Sequence, residues 1–205
     1  MITLYKLEDF HFTGDESIVS VKISSGITKI PQGAFKNCIN LENIFLHDNI
    51  TEISNYAFFN CRKISQIKLP RNLLKIGINA FTDTGIIHLR IPRNVNCIGE
   101  YAFSMCTKLI SVELSDNLKI IETGLFQNST IEKIMFPKSI KSISEDAFKS
   151  CINLRTIGWG KNINYVNKDC FKYCHNLFDI YLNGNKKKLP YHICFDESYN
   201  VRLLY

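Results

Sequence analysis

Two rhythms of apolar residues run along this chain, one nested in the other. The short one has a period of two: Ile44 and Leu46, or Val112 and Leu114, flank a single outward position, the signature of a strand with one buried face. The long one is built on Phe. It recurs at Phe12, Phe35, Phe58, Phe81, Phe103, Phe126, Phe148 and Phe171, with a weaker candidate at Phe195, in steps of 23, 23, 23, 22, 23, 22, 23 and 24 residues. Self-similarity at a fixed period in the 20s predicts a solenoid, whose coils stack to make a core that no coil forms alone.

Each unit reads the same way. Aliphatics stand eight and five residues before the Phe, as in Ile27 and Ile30 or Val95 and Ile98. Others stand six, nine and eleven after it, as in Leu41, Ile44 and Leu46. Parallel strands are expected to centre on Val21, Ile44, Ile67, Leu89, Val112, Ile134, Ile157 and Ile180, and Pro70, Pro92 and Pro137 stop three of them. Polar residues ahead of the Ala-Phe pair, such as Ser144-Glu145-Asp146, predict one short helical turn that points its Phe inward. The period spans the chain, so a single domain over residues 1–205 is expected: a degenerate N-terminal repeat (1–23), regular repeats (24–182) and a degenerate C-terminal repeat (183–205).

The pattern Ile-x-x-Ile-x-x-x-Ala-Phe-x-x-Cys-x-x-Leu-x-x-Ile-x-Leu-Pro resembles the BspA-like (Treponema pallidum type) class of leucine-rich repeats. The resemblance covers nearly the whole chain in about eight copies. It implies a right-handed, curved leucine-rich-repeat solenoid with a parallel sheet on its concave face. About eight coils of 22–23 residues are expected, with short helical turns or short strands opposite. It also implies binding, since members serve as surface adhesins and interaction proteins. It carries no invariant binding residue that transfers to this sequence.

The eight cysteines fit that scaffold. Cys38, Cys61, Cys106, Cys151 and Cys174 follow the Phe by three residues, Cys170 and Cys194 replace the Ala, and Cys97 alone is off pattern. Coils stacked at the strand spacing bring Cys38 near Cys61 and Cys151 near Cys174, but burial as free thiols is the expectation. The two short units, which start at Phe81 and Phe126, lack both one residue and the Cys. Cys170, Cys174, His175, His192 and Cys194 cluster in sequence, yet the cysteines already have inward roles, so no metal is expected. No phosphate loop, zinc-binding helix motif or nucleophile elbow occurs, the five histidines are scattered, and an enzyme is not expected. No cofactor is implied.

Composition adds limits on partners. The net charge of +6 is spread out, and the one dense run, Lys186-Lys187-Lys188, reads as a solvated loop instead of a nucleic-acid arm. No apolar run is long enough to cross a bilayer, and the N-terminus shows no secretory signal. The sequons at Asn49 and Asn128 stand among many other asparagines and weigh little.

Binding is expected on the strand positions that point away from the core. There Phe45 stands near Gln66, Lys68, His88 and Arg90, with Glu113, Met135 and Tyr181 further along. Aromatics beside cations on an open face suit a protein partner. Corner loops are the competing surface. A surface or secreted adhesion module binding a host or extracellular-matrix protein, an intracellular scaffold docking one protein, and a structural spacer all remain open. At the ends, Leu4, Leu7 and Phe12 are in phase with the repeat, His11 and Asp15 add polarity, and Lys187 and Pro190 mark drift. Val201 and Leu204 fall on strand positions of an uncompleted unit, and weak end-to-end self-association is expected.

Overall fold

The computed structural model describes residues 2–4, 12–182 and 202–204. It is a parallel β-solenoid. Eight Phe rings from Phe12 to Phe171 stack in seven steps, with centroids 5.2–6.0 Å apart. The described residues therefore make about seven turns, not eight. Every ring from Phe35 to Phe171 is buried, and the flanking aliphatics, from Ile27 and Ile30 to Ile140 and Ile143, are buried around them.

No helix forms at the Ala-Phe corner, which corrects the expected helical turn. The reason lies in the backbone. The residue two after each Phe has positive φ: Gly14, Asn37, Asn60, Asp83, Met105, Asn128, Ser150 and Tyr173. So does the residue two before most of them: Gly33, Tyr56, Asn79, Tyr101, Gly124 and Asp146. Left-handed residues on both sides of the Phe break any right-handed helix and turn alternate N–H groups toward the next coil. Thus Phe35 N–H donates to the Ala57 carbonyl at 2.8 Å, Phe58 to Ala80 at 2.8 Å and Phe103 to Leu125 at 3.0 Å. The left-handed residues do the same, as when Tyr56 donates to Ile78 at 2.9 Å and Met105 to Gln127 at 2.7 Å.

The cysteines complete this corner. Cys61, Cys151 and Cys174 donate to the carbonyls of Phe35, Phe126 and Phe148 in the coil before, at 3.0–3.1 Å. In the two short units a hydroxyl replaces the thiol: Thr84 donates to the Phe81 carbonyl at 2.9 Å, and Ser129 lies 3.4 Å from the Cys151 Sγ. All seven described cysteines are free, six are buried, and Cys97 is exposed. Burial pushes the thiols of Cys38 and Cys106 up to about 11, and pushes Cys61 up as well.

The strands form two faces. On one, Ile2–Leu4, Ser20–Ile23 and Asn43–Phe45 pair in parallel. After a gap, His88–Arg90, Ser111–Glu113, Lys133–Met135, Thr156–Gly158, Asp179–Tyr181 and Arg202–Leu204 form a second parallel sheet. The strand expected at Ile67 is missing. None of the N–H groups of Gln66, Ile67, Lys68 and Leu69 donates to a backbone carbonyl, and the Ile87 N–H to Ser65 carbonyl bond of 3.1 Å stands beside the break. On the opposite face Lys29–Ile30, Glu52–Ile53, Lys75–Ile76 and Cys97–Ile98 pair without interruption past the same coil. There too, Phe58 and Phe81 make the closest ring contact, 5.2 Å. The coils are thus held at the back and core, and separated on one face. Ile120–Ile121, Ser142–Ile143 and Tyr165–Val166 form the remaining sheet.

At the ends the register departs from expectation. Leu203, not Leu204, is level with Ile180, so the drift is taken up before the strand. Leu4 is level with Ile23 in a strand, where the first aliphatic of a regular unit, such as Ile27, comes after it. The phase of Leu7, the polarity of His11 and the drift at Lys187 and Pro190 lie outside the described residues, as does the run Lys186-Lys187-Lys188.

Two measurements check the core. Phe103→Ala is expected to cost about 3–5 kcal/mol in denaturant titration, as a large-to-small change in a packed column; a loss below about 1 kcal/mol would contradict the stack. In a Cys194→Ser background, a thiol reagent at pH 8 is expected to label Cys97 promptly and the other thiols only on unfolding. The raised thiols also set an alkaline limit: their contribution is complete below the unfolded thiol value of about 8.5. It declines as pH rises toward the folded value of about 11. The denaturant midpoint should therefore fall between pH 7.5 and 10.5, and fall less in Cys106→Ala.

Candidate functional site

The parallel register carries the outward positions of neighbouring strands into rows. Lys22 lies level with Phe45, His88 with Ser111, Arg90 with Glu113, and Met135 with Gly158 and Tyr181. All eight sequence-selected residues, Phe45, Gln66, Lys68, His88, Arg90, Glu113, Met135 and Tyr181, are exposed on this face. Phe45 is 53% exposed. Gly158 leaves room for Met135, whose thioether would meet any Cβ placed there.

The polar members are partly committed to one another. Arg90 Nε lies 2.9 Å from Glu113 Oε2, with side chains 82% and 66% exposed. His88 Nδ1 is 2.8 Å from the Ser111 Oγ. Such open pairs are held weakly and exchange readily for a partner's groups. Gln66 and Lys68 instead stand on the coil that makes no strand.

Sequence reasoning missed what lies at the lip of this face. A cleft of about 700 Å³ opens at the break, lined by Asp48, Ile67, Lys68, Leu69, Arg71, Arg90, Pro92 and Arg93 among others. Its corner backbone is fixed by asparagines: Asn94 Nδ2 donates to the Arg71 carbonyl at 3.1 Å and Asn117 Nδ2 to the Arg93 carbonyl at 2.9 Å. Asn49 belongs to the same ladder, donating to the Ser25 carbonyl at 3.1 Å, which accounts for that residue by turn geometry. Asp48 accepts from Arg71 Nε at 2.7 Å and from its backbone N–H at 2.8 Å, and these bonds hold its carboxyl below the usual range. The periodic Arg71 and Arg93, one coil apart, were the available signal. A second cleft of about 600 Å³ lies further along the same lip, between Phe136 and Trp159 and beside Lys138 and Lys161.

The opposite face carries its own exposed residues. Glu52 Oε1 bridges Lys29 at 3.1 Å and Lys75 at 3.8 Å, with Cys97 further along the same sheet and Ile120 and Tyr165 exposed on the remaining sheet. No group of three metal-ligating side chains occurs among the described residues. Cys174 is committed to the Phe148 carbonyl, Cys170 is buried, and His175 lies 6.1 Å from the Tyr173 ring. His192 and Cys194 lie outside the described residues. No described helix is long and apolar enough to cross a membrane.

A stacked Phe column between parallel strands, with an Ala-Phe-x-x-Cys corner, defines a leucine-rich-repeat solenoid. The chain belongs to the BspA type leucine-rich repeat family, whose model matches six copies over residues 2–96 and 74–202. A T. pallidum leucine-rich repeat protein is similar at 27% identity and a TM-score of 0.63, over 86% of this chain and 72% of that one. A leucine-rich repeat protein from Bacteroides ovatus shares the fold at 22% identity and a TM-score of 0.59. That match covers 88% of this chain, which spans 58% of the Bacteroides protein. A comparison with curated proteins finds no match. Leucine-rich-repeat proteins of this kind are generally interaction modules and generally not enzymes.

Because the eight face residues are exposed, Phe45→Ala and Arg90→Ala are each expected to leave the thermal midpoint within about 2 °C of the parent. A larger drop in a melting curve would place these side chains in the fold's stability and not on its free surface.

Proposed function

We propose that this chain is a non-enzymatic recognition module of a surface or secreted adhesion protein, binding a host or extracellular-matrix protein through the sheet face. The observation that carries the reading is Phe45, an aromatic ring left open on the edge strand of the first sheet, on the same face as Lys68, His88 and Arg90 across the break. Anchors of this type supply most of the energy of protein interfaces, while the rim supplies specificity. A rigid scaffold also pays little ordering entropy on binding. Met135 and Tyr181 extend the surface along the second sheet, and the chain acts as one continuous interaction domain.

An intracellular scaffold docking one protein is the second reading, favoured by the free cysteines. Surface plasmon resonance against immobilised fibronectin, fibrinogen, laminin and collagen tests the first. Saturable binding to at least one is expected, weakened about tenfold or more in the Phe45→Ala, Arg90→Ala double variant and unchanged in Tyr165→Ala on the opposite face. No binding to any of them, with the native gene product found in the cytoplasm, would leave the scaffold reading in its place.

A further inference from the structure

We propose that the cleft at the break in the sheet is a receptor for an acidic segment of the protein partner, a site that shares Lys68 and Arg90 with the Phe45 face and rests on the same protein-binding reading. Three features of the cleft point to a carboxylate-rich peptide. The first is charge. Lys68, Arg71, Arg90 and Arg93 line it against one carboxylate, Asp48, which Arg71 already holds. Among the described residues neither Lys68 nor Arg93 has a carboxylate within ion-pair distance. Four cations around one concave site, two of them outside any ion pair among the described residues, raise the local potential, and an anion relieves it.

The second feature is geometry. Arginine forks match carboxylates, and two of the lining arginines already hold one each, Arg71 the lining Asp48 and Arg90 the Glu113 outside the lining. Asp48 Oδ2 sits 2.6 Å from Arg71 Nη2, and Glu113 Oε2 sits 2.9 Å from Arg90 Nε. The chain's own carboxylates show which ligand chemistry these guanidinium groups accept. The Arg90–Glu113 pair is open to solvent, so a partner's Asp or Glu replaces Glu113 at little cost.

The third feature is the backbone. While the strands on either side each pair with a sheet neighbour away from the break, the N–H groups of Gln66, Ile67, Lys68 and Leu69 make no backbone bond. Polar backbone groups in that condition need water or a ligand, and an extended peptide supplies partners for them. Ile67, Leu69 and Pro92 add apolar surface to the lining, so the expected sequence alternates acidic with apolar residues. A volume of about 700 Å³ admits a few such side chains and excludes a folded element.

The test uses a fluorescein-labelled octapeptide of alternating Glu and Leu, its Lys-Leu counterpart, and a heparin-type sulfated oligosaccharide, each followed by fluorescence anisotropy with the full chain. Saturable binding of the Glu-Leu peptide, weakened by added salt, is expected, with no binding of the Lys-Leu peptide. The double variant Lys68→Glu, Arg93→Glu should lose affinity about tenfold or more. Lys138→Glu, Lys161→Glu, an equal charge change at the second cleft, should lose less than about twofold. Melting curves confirm folding of both. If the reversed variant fails to fold, Lys68→Gln, Arg93→Gln is expected to show a smaller loss in the same direction. Equal losses at both clefts would overturn the proposal in favour of diffuse charge. Binding of the oligosaccharide but not the peptide would overturn it in favour of a sulfated glycan. If the peptide fails while Phe45→Ala still weakens binding to a matrix protein, the cleft assignment alone falls and the recognition-module reading stands.

Discussion

The fold depends on one arrangement: backbone N–H groups at the Ala-Phe corner that point along the stack instead of along the chain. A helical turn would satisfy these donors within its own coil and leave adjacent coils joined by side chains only. Left-handed residues on both sides of the Phe prevent that, and the freed donors tie each coil to the next. The chain accepts a local cost for this, since Tyr56, Tyr101, Met105 and Tyr173 all adopt a conformation that favours Gly or Asn. The return is a fixed coil separation that lets aromatic rings stack in register and admits a thiol or hydroxyl at the inner corner.

Much of this was legible in the sequence. The Phe column, its flanking aliphatics and the inward cysteines are periodic, and periodicity survives any local ambiguity. Inter-coil bonding by the corner was not legible, because Ser-Glu-Asp-Ala-Phe reads equally well as a helix start. A tyrosine in a left-handed turn announces nothing. The missing strand at Ile67 was equally hidden: Gln66-Ile67-Lys68 alternates as well as Lys133-Ile134-Met135, which does pair. Whether such a segment bonds depends on how closely its neighbours stack, which the pattern does not encode. The eight face residues were readable because a period of two assigns their side. The corner arginines Arg71 and Arg93 were not singled out, because their positions lie beyond the strand, where the pattern assigns no face.

The binding surface and the core thus draw on different parts of one unit. Inward positions repeat almost without change, from Phe35 to Phe171, whereas the outward row runs Lys22, Phe45, Lys68, Arg90, Glu113, Met135, Gly158 and Tyr181. Free variation is permitted where no coil contact constrains the side chain. The coil around Ile67, where the strand of this face is missing, is also where cations gather and backbone groups remain unpaired. Specificity is therefore carried by a structural irregularity as well as by side-chain choice.

The corner bonds have a sense as well as a spacing. In the backbone bonds made by the Phe and the left-handed residues the donor belongs to the coil nearer the N-terminus and the acceptor to the coil that follows, while the cysteine thiols donate in the opposite sense. A segment copied into the array joins it only as a whole unit in the same orientation, since a reversed or half unit would set donor against donor. Loss of a single residue is admitted at the loop between the inner corner and the strand, as Thr84-Gly85 and Ser129-Thr130 show. The array can lengthen or shorten by duplication and deletion of coils, but its seams must fall at fixed points of the repeat.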